Sequence, residues 1–218
     1  MSVEATLSDR PAGSARTLEQ PARVPVVADS PVADPGPLGL AGFALTTFVL
    51  SLFNAGVIGN LALEAVVLPL ALFYGGTVQL LAGMWEFRKN NTFGALAFSS
   101  YGAFWLSFAG YVQFIVPGLP TAEVHTATGV FLLAWTIFTA YMWLASLRTS
   151  GVIAAVFTVL LATFALLTAG ALGELPVLTR IGGWLGLLTA ALAWYGSAAA
   201  VTNSTWERTV LPTFPLGK

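Results

Sequence analysis

Six stretches of the chain contain no Asp, Glu, Lys or Arg: residues 38–59, 65–85, 93–116, 126–147, 151–173 and 181–206. They hold 138 of the 218 residues, and all 19 charges fall in the remainder. Each matches the roughly 20 residues a helix needs to cross a hydrocarbon core of about 30 Å. Outer-membrane strands are about 10 residues long and alternate apolar with polar positions; these stretches are uniformly apolar and rich in Leu and Ala, which predicts helices. The connections 60–64, 86–92, 117–125, 148–150 and 174–180 are short, so neighbours run antiparallel and the six helices form three hairpins. Helices 1, 3 and 5 begin near 38, 93 and 151, spacings of 55 and 58 residues that predict a pseudo-threefold arrangement in which the odd helices are equivalent. Pro69, inside the second stretch, is expected to loosen it locally.

Composition narrows the solvent. Apolar types make up 56% and charged types 9% of the chain, with a mean hydropathy of +0.80; a water-soluble domain carries about 25% charge. The expected fold class is therefore an all-α, multi-pass membrane protein, and soluble enzymes and secreted disulfide scaffolds are excluded. A net charge of −1 without a basic patch predicts no nucleic-acid partner. There is no cysteine and one histidine, His125, which removes thiol chemistry and leaves no metal or cofactor site to propose.

Three regions are expected: 1–37, 38–206 and 207–218. Residues 1–37 hold six of the twelve prolines and eight charges without an apolar run, which predicts a disordered tail with no signal peptide. Placing both termini in the cytoplasm puts eight basic residues inside and only Arg180 outside. The expected location is the cell's inner (plasma) membrane.

Apart from tyrosine, the charge-free spans offer only neutral polar groups. Pumps and tightly coupled symporters usually place an acid or base at mid-membrane; here Thr46, Thr47, Asn54, Gln79 and Ser100 are the candidates to line a path. Hydroxyls and amides suit a small monoanion or its neutral acid. Gln79 reads equally as a helix bridge or a path residue, whereas Gly56 beside Asn54 favours the path for the latter. Glu86 reads as a solvated boundary carboxylate and His125 as a surface residue. Trp85, Trp143, Trp184 and Trp206 fall near span ends, as interfacial belt residues do. Gly182 and Gly186 form a Gly-x-x-x-Gly pair suited to close helix packing, within the chain or between copies.

The run Asp34-Pro35-Gly36-Pro37-Leu38-Gly39, followed by Gly42-Phe43 and Thr46-Thr47, resembles the Asn-Pro-Ala-Pro-Leu-Gly signature region of the acetate uptake transporter family. That family includes bacterial succinate–acetate permeases and fungal acetate and ammonia-export proteins. The likeness continues through Asn54-Ala55-Gly56, Phe73-Tyr74-Gly75-Gly76, Ala82-Gly83-Met84-Trp85-Glu86, Asn91-Thr92-Phe93-Gly94, Ser100-Tyr101-Gly102 and Arg208-Thr209-Val210-Leu211-Pro212. Two positions depart from the signature, Asp34 for Asn and Gly36 for Ala, and the first adds a negative charge at the mouth. Pro37 is expected immediately before helix 1, leaving amides free at that helix start.

The resemblance implies a homohexamer with one monocarboxylate path per protomer, narrowed by one residue from each odd helix: Phe43, Tyr101 and Leu160. It implies acetate and related short acids, succinate among them, as cargo, moved by a channel-like or proton-linked route. A greasy neck excludes hydrated ions by dewetting yet passes a molecule with a methyl end. The alternatives are ammonium or ammonia transport and a non-transporting scaffold or sensor; an enzyme would need a nucleophile with a base, which one boundary histidine does not supply.

Overall fold

The computed structural model describes residues 32–216. Most of the expected tail, residues 1–31, lies outside them. Six helices account for nearly all of the described chain: α1 (Gly36–Asn54), α2 (Ala62–Arg88), α3 (Thr92–Gly110), α4 (Thr121–Ser146), α5 (Gly151–Leu172) and α6 (Pro176–Thr205). All except α3 are long and apolar enough to cross a membrane. Helix α3 carries Ser99, Ser100, Tyr101, Trp105 and three glycines, which dilute its hydropathy, and one further π-helical turn (Tyr111–Ile115) and a 3-10 turn (Val116–Gly118) extend it.

Helix α1 begins two residues earlier than the sequence pattern indicates. Pro35 is the N-cap, so Pro37 lies within the first turn and not before it. Proline is tolerated there because the first amides have no intrahelical partner. The Gly36 amide is not free: it donates to Asp34 Oδ1 at 3.1 Å. At the other end, Gly56 adopts φ +73°, a left-handed conformation that ends the helix and that a side chain would strain.

Helix α2 is irregular in a different place from the one its proline suggests. Pro69 falls in the first turn of a regular segment (Val67–Leu72), where its missing N–H costs little. The loosening follows at a π-helical turn, Phe73–Val78, where Thr77 Oγ1 donates to the Leu72 carbonyl at 2.8 Å. This turn contains Gly75 and Gly76. Their bare backbone lets Thr46 of α1 and Leu106 of α3 approach so closely that no Cβ would fit.

Helix α6 packs extensively on both α1 and α5, while α5 also packs on α4 and α2 on α3. The glycine pair of α6 serves contacts inside the chain: Gly186 abuts Ser51 of α1, and Gly182 lies against Leu166 and Leu167 of α5. Ser197 adds a hydrogen bond to the Pro37 carbonyl at 2.7 Å. The outer surface is apolar. Few residues of α4 are buried, and Ile137, Tyr141 and Leu144 face outward. Such a surface is stable in lipid, where the helix satisfies its own backbone groups.

Candidate functional site

Two cavities open from opposite ends of the bundle and meet at its centre. The smaller, about 410 Å³, lies among the starts of α1, α3 and α5 and the ends of α2 and α6. The larger, about 1000 Å³, lies among the opposite helix ends. We term them the near and far cavities. Phe43 and Leu160 line both, and Tyr101 lines the near one. These three side chains are 5%, 3% and 3% exposed, so the two spaces are separated by a buried, largely apolar waist.

Helical spacing explains how α1 contributes along the whole length. Gly36, Leu40, Phe43, Thr47, Leu50 and Asn54 recur every three or four residues, which puts them on one face, and all six line one or other cavity. On α5 the same register brings Ile153, Val156, Leu160, Thr163, Leu167 and Gly170 to the cavities. Helix α3 presents Gly94, Ala97, Tyr101, Phe104 and Phe108 in like manner.

Tyr101 is held by more than packing. Its ring lies 5.7 Å from that of Phe43 and 5.3 Å from that of Phe138, centroid to centroid. Its hydroxyl is 2.9 Å from Thr139 Oγ1. Thr139 donates its only hydroxyl proton to the Trp135 carbonyl at 2.7 Å, so Tyr101 is the donor in the pair. The phenol is thereby anchored to α4 while its ring faces the waist.

The paired threonines of α1 divide. Thr46 is fully buried, donates to the Gly42 carbonyl at 3.0 Å, packs on Gly75 and lines neither cavity. Thr47 lines the far cavity, and its buried hydroxyl has no hydrogen-bond partner. Trp105 does the same from α3: its indole Nε1 is buried, unpaired and part of the far cavity wall. Gln79 lines the near cavity, and its buried Oε1 has no hydrogen-bond partner, so it does not bridge helices through that atom. Asn54 lines the far cavity, and Ser100 lines neither. A buried polar atom without a partner costs roughly 1–3 kcal/mol. Unpaired groups on both sides of the waist therefore favour a polar guest.

The signature residues gather at the near mouth. Asp34, Gly36 and Pro37 line the cavity, Pro35 is buried, Leu38 faces outward and Gly39 backs onto Phe98. Asp34 forms an ion pair with Lys89 at 3.1 Å, so the extra negative charge at this position is matched by a cation.

One residue differs sharply from its sequence reading. Glu86 is 1% exposed, not solvated, because α2 continues to Arg88 and turns Glu86 inward. It lines the near cavity and accepts a hydrogen bond from Asn91 Nδ2 at 2.8 Å. Asn91 also caps α3, its Oδ1 accepting from the Gly94 amide at 3.1 Å. The available signal was the seven-residue interval from Gln79 to Glu86, two helical turns on one face. At the far mouth, Glu64, His125, Glu174 and Arg180 line the wall, with Arg180 laid across Gly56.

The GPR1/FUN34/yaaH family matches residues 17–218. The chain belongs to this family. It is 40% identical to the succinate-acetate/proton symporter SatP of Escherichia coli (strain K12) over 83% of this chain and 95% of that one. The ammonia transport outward protein 2 of Saccharomyces cerevisiae is 44% identical over 82% of this chain and 66% of its own length. A solved structure described as the bacterial acetate channel SatP superposes with a TM-score of 0.78 at 40% identity, covering 84% of this chain and 99% of that one. Together with five helices of membrane-crossing length, this makes the present chain a multi-pass, all-helical membrane protein.

Proposed function

We propose that this protein moves acetate and other short monocarboxylates across the cell's plasma (inner) membrane, along a path that joins the two cavities through the waist. The observation that carries this reading is the meeting of two cavities at Phe43, Tyr101 and Leu160 with unpaired polar atoms on either side. The hydroxyl of Thr47 and the N–H of Trp105 are both donors, which matches a carboxylate waiting in the far cavity; Gln79 offers an amide in the near one. Charge-assisted hydrogen bonds contribute roughly 1.5–3 kcal/mol each, enough to offset part of the desolvation of a small anion. The methyl group of acetate then finds an apolar surface at the waist. Relatives named for succinate–acetate symport and for an acetate channel support this cargo.

In this reading the protein is a transporter and not an enzyme, works without a cofactor, and assembles as a homohexamer with a path in each copy. Its helices form three hairpins about a pseudo-threefold axis, and both termini face the cytoplasm. The test is uptake of radiolabelled acetate into proteoliposomes bearing the full chain, with propionate, lactate, succinate and ammonium as competitors. Protein-dependent acetate flux competed by the monocarboxylates is the expected result. Competition by ammonium alone favours the ammonia reading, and no flux leaves a scaffold or sensor.

A further inference from the structure

Glu86 is the feature of the near cavity that an anion path does not explain. A carboxylate in the wall repels a carboxylate in the lumen, and the pair is held in an enclosed space with weak screening. The cation that acts on it, Lys89, does so from a distance: its ammonium makes an ion pair with Asp34, which also repels Glu86, and among the described residues none forms an ion pair with Glu86. The groups around it are few. Gly36 at the start of α1 approaches Oε1, Asn91 binds Oε2, and Gly94 packs on the carboxyl carbon. The other titratable side chains lining the cavity are Asp34 and Tyr101. From α5, α6 and the C-terminal segment come only Thr149, Ser150, Gly196, Ala200, Thr213 and apolar residues.

We propose that Glu86 is the group that exchanges a proton with the transported acid, so that the cargo crosses the waist neutral. This rests on the transport reading above and gives it a coupling step. Two carboxyl groups facing each other in one enclosed site hold a single proton more readily than none. A carboxylate held in the far cavity takes a proton from water there and passes Phe43 and Leu160 as the neutral acid, without a charge to desolvate. In the near cavity its O–H bond breaks and an O–H bond forms on the Glu86 carboxylate. The cargo departs as the anion past Asp34 and Lys89, and Glu86 then releases the proton to water at the same mouth. The reverse sequence protonates an outgoing anion. One proton moves with one carboxylate in either direction, and no other bond changes. Asn91 holds the carboxyl in place through Oε2 and leaves Oε1 as the oxygen directed towards the start of α1.

The experiment measures acetate flux and proton entry together in proteoliposomes from about pH 5 to about pH 8, each after subtraction of protein-free vesicles. The unmodified chain is expected to move protons with acetate and to slow as pH rises. Glu86→Gln keeps the shape and a hydrogen-bonding amide but cannot exchange the proton; acetate entering from the near cavity, where Glu86 supplies the proton, is expected to lose both the pH slope of its flux and the proton movement coupled to it. Glu86→Asp keeps the carboxyl, so the slope is expected to persist with a displaced midpoint, because the shorter side chain withdraws from Asn91. An unchanged slope with continuing coupled proton movement in Glu86→Gln, for acetate entering from the near cavity, overturns the proposal. So does loss of the slope in Glu86→Asp, which also decides the matter where Glu86→Gln yields no folded protein. Absence of protein-dependent acetate flux from the unmodified chain at every pH rejects the transport reading itself.

Discussion

The rings of Phe43 and Tyr101, from α1 and α3, meet with centroids 5.7 Å apart and planes tilted by 59°. Both are nearly inaccessible, although open space lies beside each. In the transport reading this contact is part of the partition between the two cavities, since Phe43 lines both and Tyr101 lines the near one. Replacing either ring therefore acts on selectivity before it acts on the rest of the fold.

Phe43→Ala is expected to admit longer and branched monocarboxylates that the parent excludes. A hydrophobic pocket discriminates one methylene by about 1–3 kcal/mol, so the ratio of acetate to butyrate flux should fall by roughly tenfold or more. Stability should drop by less than the 3–5 kcal/mol typical of Phe→Ala, because the ring already borders a void. Competition uptake and a thermal melt in detergent measure the two effects.

Tyr101→Phe separates the phenol's bond from its ring. The ring stays at the waist, while the Thr139 oxygen loses its donor. The expected cost is about 1 kcal/mol of stability with acetate selectivity retained, whereas Tyr101→Ala should lose selectivity as Phe43→Ala does. A similar loss of selectivity in both Tyr101 variants would show that the hydroxyl, not the ring, forms the barrier.

The adjacent threonines give a paired comparison. Thr47→Val removes an unpaired hydroxyl from the far cavity and is expected to raise the KM for acetate severalfold, in line with one lost hydrogen bond of about 1–2 kcal/mol. Thr46→Val removes a hydroxyl already bonded to Gly42 and packed on Gly75, so its effect should fall on thermal stability with KM little altered. Initial-rate uptake over a range of acetate concentrations distinguishes them.

Gly102→Ala should be the most damaging of the small changes. The added Cβ would lie 2.7 Å from the Leu80 nitrogen and 2.9 Å from the Gly76 carbonyl oxygen, both backbone atoms of α2 that cannot turn aside. Overpacking of this kind costs roughly 1–3 kcal/mol, and the expected outcome is a lowered yield of folded protein and a lower melting temperature.

Asp34→Asn restores the residue usual in the family signature while keeping a side-chain oxygen for the Gly36 amide. The ion pair it removes is exposed, with side-chain accessibilities of 54% at Asp34 and 27% at Lys89, and such pairs contribute about 0–1 kcal/mol. Stability should be nearly unchanged. Acetate flux measured at low and high salt should show any role of the mouth charge: the variant leaves Lys89 unpaired, so its flux should respond to screening more than the parent's.

Membership of the membrane class and the number of helices were legible in the sequence. Lipid forbids charge and demands length, and a helix repeats its faces every three or four residues; both constraints act locally and leave their mark in residue order. Phe43, Tyr101 and Leu160 were singled out through the family resemblance, and the fold buries all three beside the cavities. Which threonine would face the cavity, which side of α2 Glu86 would occupy and which amide would bind it were decided by tertiary packing. Thr46 is turned away because Gly75 leaves room for it, and Glu86, carried inward by the continuation of α2, is held there by Asn91 at the start of α3. These outcomes depend on contacts between residues of different helices or turns, where rotation of a helix by one residue exchanges a buried group for an exposed one.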